Sequence, residues 1–283
     1  MGRIAYIILY TFSLLPLGIL NAFFSMGVWM LRVPFGYRKA VIQDNLTKCF
    51  PEKSEPELKA IELGFYRFLG RMAAEFVKNL SISSEKAKDF IEVKNPEVLE
   101  EAFRKNDIVF LMVGHYGNWE ILGSVISLHI EARFHALYKP LRSKSSQWFI
   151  DQERLRHGTK VIPFKTAYRD LQKLKGKHLI EFISDQSPLR NNAVWKTFFG
   201  RETPVFKGTE KIAARIGAPV LYGRVEVGPL GKYSLEYVPV LEEANTTDWP
   251  LTGKTVELLE ENIRRAPQYW LWSHRRWKYG PNA

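Results

Sequence analysis

A histidine and a carboxylate stand five residues apart in the run Val113-Gly114-His115-Tyr116-Gly117-Asn118-Trp119-Glu120. Neither an extended strand nor one continuous helix brings positions at that spacing together. A turn through Gly114 and Gly117 does, because glycine takes backbone angles that other residues resist. Asn118 is then placed to cap a helix starting at Trp119. Glu120 falls in its first turn, where the helix dipole favours the ionised form. An ionised Glu120 on one ring nitrogen of His115 makes the other nitrogen a better base. The plainer alternative is a histidine that closes a strand and a glutamate that completes a helical turn.

The rest of the sequence narrows what such a base acts on. It contains no Gly-x-Ser-x-Gly elbow, no Walker loop and no Gly-x-Gly-x-x-Gly turn. His115, His129, His135, His157, His178 and His274 show no metal-ligand spacing, so neither a metal nor a cofactor is implied. A base without a protein nucleophile suits direct transfer to a hydroxyl that the substrate brings. That reaction needs a group to stabilise the developing oxyanion. Arg154 or Arg156, on a neighbouring predicted helix, is either that group or part of a solvated basic face.

The elements that must position these groups alternate from about residue 90. Strands are expected at Phe90–Val93, Asp107–Met112, Arg133–Tyr138, Val161–Pro163, His178–Ile183, Pro219–Val225 and Tyr233–Val238, the last two as a pair. Helices are expected at Pro96–Arg104, from Trp119, and at Ser143–Arg156, Thr166–Leu174 and Lys207–Ile216. This pattern predicts an α/β fold, a mixed central sheet flanked by helices. His115 follows one strand, and Asp185 follows another in Ser184-Asp185-Gln186. The ends of strands are where open α/β sheets place reacting groups.

Ahead of this lies a helical region over residues 35–80. Ahead of that, the 28 residues Ile4–Leu31 carry no Asp, Glu, Lys or Arg. A bilayer core needs roughly 20 such residues, so residues 1–32 are expected to form a hydrophobic membrane-anchor helix and residues 33–283 the catalytic domain. Arg32, Arg38 and Lys39 follow at once and favour a cytoplasmic body. The net charge of +11, with a pI near 9.6, suits an anionic partner: a membrane, an acidic carrier or substrate, or nucleic acid. The lone Cys49 excludes an intrachain disulfide.

The Gly114–Glu120 stretch resembles the His-x4-Asp/Glu signature of glycerolipid and lipid A acyltransferases, and most closely the lipid A branch, the secondary lauroyl and myristoyl acyltransferases of Gram-negative bacteria. Asn45-Leu46 with Phe50-Pro51, Asp185-Gln186, Phe198-Phe199-Gly200 with Thr203 and Gly208, Gly217-Ala218-Pro219-Val220, and Pro267–Lys278 agree with it in order. The resemblance spans nearly the whole chain.

It implies a His115/Glu120 catalytic dyad assisted by Arg154 and Asp185, with Arg156 a second candidate. Asp185 either positions Arg154 or the acceptor, or is an ordinary strand-end residue. The implied donor is an acyl-carrier-protein thioester, with acyl-coenzyme A the other choice. The implied acceptor is an anionic glycolipid precursor of lipid A, acylated at the inner membrane from the cytoplasmic side. Phe198, Phe199 and Gly200 either line an acyl tunnel or fill the core. Asn118 joins the expected substrate-binding residues. So do Arg275 and Arg276, whose cations face phosphates unless the C-terminal segment is purely structural. Two other functions fit the same residues: an acyltransferase of this fold using an aminolipid or glycosylated phospholipid, and a membrane-tethered basic module that binds nucleic acid.

Overall fold

A computed structural model describes residues 2–141, 143–188, 192–241 and 244–278. Helices α1 (Gly2–Ser13) and α2 (Leu17–Arg32) open the chain, followed by α3 (Lys39–Cys49), the long α4 (Glu55–Asn79) and the short α5 (Ser84–Lys88). The alternating part then runs β1 (Ile91–Val93), α6 (Pro96–Arg104), β2 (Ile108–Val113), α7 (Trp119–Val125), β3 (Arg133–Tyr138), α8 (Lys144–Arg154), β4 (Lys160–Pro163), α9 (Ala167–Leu171) and β5 (His178–Ile183). A hairpin, β6 (Ala193–Phe198) and β7 (Arg201–Phe206), precedes α10 (Gly208–Ile216), β8 (Val220–Val227), β9 (Tyr233–Val240) and α11 (Pro250–Arg265).

Seven strands form one sheet in the order β1-β9-β8-β2-β5-β3-β4. All neighbours are parallel except β8 and β9, which pair antiparallel. The sheet is therefore mixed, as the alternation of elements predicts. Its central strand β2 is buried from Val109 onward, which is why Val109-Phe110-Leu111-Met112 reads as a continuous apolar run: helices cover both faces of a parallel sheet. β5 lies beside it in the register Val113↔Ile183. The hairpin β6–β7 and helix α11 were not among the expected elements. The two hairpin strands carry Lys196, Thr197, Arg201 and Glu202 among their apolar residues, which blurs the alternation that marks a strand.

The N-terminus corrects the expectation of a single spanning helix. Pro16 has no amide hydrogen to continue a helical ladder and its ring obstructs the preceding turn, so α1 ends at Ser13 and α2 begins at Leu17. The two helices are about 18 and 24 Å long at 1.5 Å per residue. Among the described residues no helix is long and apolar enough to cross a membrane. Leu20 on α2 packs against Ala74 and Val77 on α4. The outward faces of both helices remain apolar: Ile4, Ile7, Ile8, Ile19, Phe23, Met26 and Trp29 are each more than half exposed. Cys49 is a buried free thiol, pushed up to about 12 by its burial.

Candidate active site

His115 and Asp185 each lie two residues beyond their strand, and β2 and β5 are paired in register, so the two side chains emerge side by side. His115 Nδ1 is hydrogen-bonded to Asp185 Oδ1. The His115 amide donates to Asp185 Oδ2 at 2.9 Å, and the Trp270 indole donates to the same oxygen at 2.8 Å. Burial alone would raise the Asp185 carboxyl. The facing His115 and the indole and amide donors outweigh it and hold the group at about 2. An ionised Asp185 fixes the Nδ1–H tautomer. Nε2 then accepts, and the Gln186 amide nitrogen donates to it at 3.1 Å. In that tautomer the outer ring nitrogen is the acceptor at the mouth of the site.

The turn carrying His115 is tightly confined. A Cβ at Gly114 would come within 2.5 Å of Leu259 on α11, and Gly117 sits at φ +66°. Glycine is the residue that fits both positions. The C-terminal segment locks the turn from the other side. Gly117 N donates to Tyr269 O at 3.0 Å, Leu271 N to His115 O at 3.1 Å, and Tyr116 bridges to Trp270.

Glu120 does not hold His115. It sits in the first turn of α7 and accepts a two-pronged bond from Arg154, Nε to Oε2 and Nη2 to Oε1, both at 2.8 Å. Arg154 is the last residue of α8, where a helix C-terminus favours a cation. The pair therefore ties the start of α7 to the end of α8. Two carboxylates lie close beneath it. Glu153 is fully buried and accepts from Asn79 at 2.7 Å. Glu181 on β5 packs against Gly123. Burial first, and the Glu120 charge second, push the Glu153 carboxyl well above its usual range. Burial also raises Glu181 to about 8, against the lowering effect of Arg154.

The other sequence-expected residues divide by burial. Asn118 is not open to a substrate: its side chain accepts from Ile121 N as the α7 cap and donates to Glu75 Oε2 at 2.9 Å and to Met72 O. Arg156 points away from Glu120 and donates to Ile82 O. Arg276 turns inward at 2 % exposure and donates to Pro204 O at 2.7 Å. Burial lowers it to about 10. Phe198 lines a small cavity with Asp185 and Arg276, about 20 Å³ in volume, which is space for one water rather than an acyl chain. Phe199 and Gly200, at φ +53° and +66°, form the two-residue β6–β7 turn. The Phe199 ring packs on Phe50 and Trp272. Arg275 alone of the C-terminal pair faces solvent.

Trp270 and Gln186 are site residues to which motif spacing in the sequence assigns no role. An indole donor 85 positions from its carboxylate leaves no periodic signal. Gln186 stands beside Asp185 in sequence and was readable only as its neighbour. Among the described residues, no group of three or more His, Cys, Asp and Glu side chains is placed to hold a metal ion.

A histidine base held by a buried aspartate, with an arginine–glutamate pair joining α7 to α8, occurs here in a chain whose known relatives are acyltransferases, and acyl transfer is its class of reaction. The sequence model for the bacterial lipid A biosynthesis acyltransferases matches residues 3–279, and the chain belongs to that family. It is 25% identical over 246 residues to the lipid A biosynthesis palmitoleoyltransferase of Escherichia coli K12, covering 86% of this chain and 80% of the relative. It is 23% identical over 265 residues to the lauroyltransferase of the same organism, covering 91% and 85%. The solved 1-acyl-sn-glycerophosphate acyltransferase of Thermotoga maritima aligns at a TM-score of 0.37 and 15% identity, over 95% of this chain and 99% of that one, an overlap from which nothing further about this protein follows.

Proposed function

We propose that this chain transfers a fatty acyl group from an acyl-carrier-protein thioester to a hydroxyl of a lipid A precursor, the secondary acylation step. The observation that carries the reading is the His115 ring, pinned through Nδ1 by an ionised Asp185 with Nε2 left to accept. His115 Nε2 takes the proton of the acceptor hydroxyl. The alkoxide adds to the thioester carbonyl, and the tetrahedral intermediate collapses with cleavage of the carbon–sulfur bond. The proton on Nε2 passes to the departing thiolate, giving an ester and a free thiol. Asp185 stabilises the imidazolium formed in between. Arg154, held by Glu120, is the cation for the oxyanion. Glu120 thus acts through Arg154 and not on the base.

The chain works at a membrane surface in this reading. The exposed apolar faces of α1 and α2 lie in the lipid–water interface, which suits amphipathic helices too short to span. Trp29 and Tyr37 suit the interfacial belt, and Arg32, Arg38 and Lys39 suit contact with the anionic cytoplasmic leaflet of the inner membrane, the side this reading assigns to the body. The +11 charge matches an acidic carrier and a phosphorylated acceptor.

Incubation of the purified protein with an acyl-carrier-protein thioester and a tetra-acylated lipid A precursor yields a penta-acylated product, detected by mass spectrometry, and His115→Ala abolishes it. Product formed only on an aminolipid, or only from acyl-coenzyme A, refutes the acceptor or the donor assigned here.

A further inference from the structure

A second concavity opens beside the site and has no part in the chemistry above. It is a groove of about 360 Å³ lined by Tyr37 and Arg38, from the loop between α2 and α3, and by Leu271, Ser273, His274, Arg275 and Lys278 from the C-terminal segment. That volume is in the range of small-molecule sites. Three of the seven lining residues are cations, and none is acidic. Arg38, Arg275 and Lys278 are all exposed, so their charges reach the opening.

The walls are fixed in place. Tyr66 donates its hydroxyl to Tyr37 O at 2.6 Å. Asn45 Nδ2 donates to Trp272 O at 2.8 Å and to His274 O at 3.0 Å. Ser187 donates to the Arg275 and Arg276 carbonyls. Arg38 holds a left-handed backbone at φ 57° at the start of α3, a conformation costly for a side chain that is not glycine, asparagine or aspartate.

Two features say what the groove takes. The first is His274, whose side chain is part of the groove wall. Burial, with Arg276 nearby, lowers this imidazole to about 4, so it is neutral at physiological pH and has a ring N–H to offer an acceptor. A neutral donor among cations fits a tetrahedral oxyanion better than it fits a cation or an apolar group. The second is position. Leu271 lines the groove and donates its amide to His115 O, so the base stands next to one wall. On the other side the chain runs directly into Leu31, Val33 and Phe35, all about half exposed or more. A molecule bound here has its polar end in the groove, its reacting hydroxyl toward His115 and its chains on an apolar surface.

We infer that the Tyr37–Arg38/Leu271–Lys278 groove is the site that binds a phosphate monoester carried on the lipid acceptor, with Arg38, Arg275 and His274 as its direct ligands. The inference rests on the acyl-transfer reading for the identity of that acceptor, but not for the binding itself. An anion bridging the α2–α3 loop and the C-terminal segment fixes the distance from phosphate to reacting hydroxyl. It thereby selects the hydroxyl that reaches His115 Nε2.

Equilibrium binding without any thioester donor tests this, since no turnover occurs. The full-length protein in detergent micelles is titrated with a tetra-acylated disaccharide bisphosphate and with its dephosphorylated form. The wild type binds the bisphosphate tighter by about tenfold or more. In Arg38→Asn/Arg275→Gln, asparagine keeps the left-handed backbone affordable at position 38, both sites are exposed, and circular dichroism checks the fold. This variant binds the two lipids within about twofold of each other. A variant that keeps the wild-type preference overturns the inference, as does a wild type with none. Inorganic phosphate at the lipid's concentration leaves binding unchanged. Displacement by it would reassign the groove to free phosphate and overturn the lipid-borne source. A phosphate preference that the variant loses, in a protein that acylates neither lipid, refutes the acyl-transfer reading and leaves this site standing.

Discussion

Asp185 accepts two hydrogen bonds from His115, one from the ring and one from the His115 backbone amide, while Trp270 donates to the carboxylate from 85 positions further along the chain. The arrangement follows from register. With Val113 opposite Ile183 in parallel strands, the residues two places further on face one another. The carboxylate that completes the base thus comes from the adjacent strand and not from the helix that follows the histidine.

Asp185→Asn is the sharpest test of that relationship. An asparagine of the same shape can accept from the His115 amide, but it can also donate to Nδ1, and so turns the imidazole to the tautomer with Nε2 protonated. We expect kcat to fall by roughly 10²-fold or more, with the acceptor KM changed less than about threefold. Steady-state kinetics in micelles separates the two. The Asp185 carboxyl sits at about 2, below the roughly 3.9 of an unfolded aspartate. Its contribution to stability is therefore complete above pH ~4 and is lost as pH falls through about 2. Acid unfolding of the variant should lack that component.

The Glu120–Arg154 pair acts as one unit. Arg154→Lys keeps the charge but cannot make the two-pronged contact, and Glu120→Gln weakens it from the other side. Each single variant should lower kcat by about tenfold or more, and the double variant should lose little beyond the worse single. A coupling of about 1–3 kcal/mol in the double-mutant cycle marks Glu120 as acting through Arg154. Additive losses would point to a separate contact of Glu120 with substrate or with His115.

The buried carboxylate on β5 makes stability depend on pH in the opposite sense to Asp185. Glu181 faces Arg154 and Glu120 and lies against Gly123, and burial raises it to about 8. An unfolded glutamate titrates near 4.3. Between those values the unfolded chain has given up a proton that the folded one keeps, so the stabilising contribution is complete below pH ~4 and is lost as pH rises through about 8. Glu181→Gln should remove this dependence, at most about 1.4 kcal/mol per pH unit. Thermal melts at pH 5, 6.5 and 8 compare the two proteins, and parallel curves would exclude a neutral Glu181.

The central strands and the helices between them are legible because β2 is buried on both faces and reads as an unbroken apolar run, because β5 departs from such a run only at His178 and Glu181, and because Asn118 caps α7 where an asparagine before Trp-Glu is placed to do so. Pairing between strands is the part a sequence conceals. Glu120 stands nearest His115 along the chain, whereas Asp185 is nearest across the sheet, and only the strand order β2-β5 decides between them. The same holds for the C-terminal aromatics. Their spacing gives no hint that Trp270 is a donor to the catalytic carboxylate, or that consecutive arginines part company, Arg275 to solvent and Arg276 into the interior. At the N-terminus the apolar composition was plain, and the proline that divides it decided its length.

That division sets the last expectation. If α1 and α2 lie in the interface, the residues that hold the protein there are the outward ones: Ile7, Ile8, Phe23 and Met26, all about 60 % exposed. Each buries on the order of 1.5–3 kcal/mol of apolar surface when it enters lipid. Replacing Ile8 and Phe23 together by glutamate also adds charge to a leaflet that is already anionic. The double variant should partition into anionic vesicles at least about a hundredfold less than the wild type in a sedimentation assay. Because neither side chain packs on the catalytic half of the molecule, it should keep its melting temperature within about 2 °C. Retention of full vesicle binding by the double variant would show that attachment runs through other residues and would remove the interfacial role assigned to these two helices.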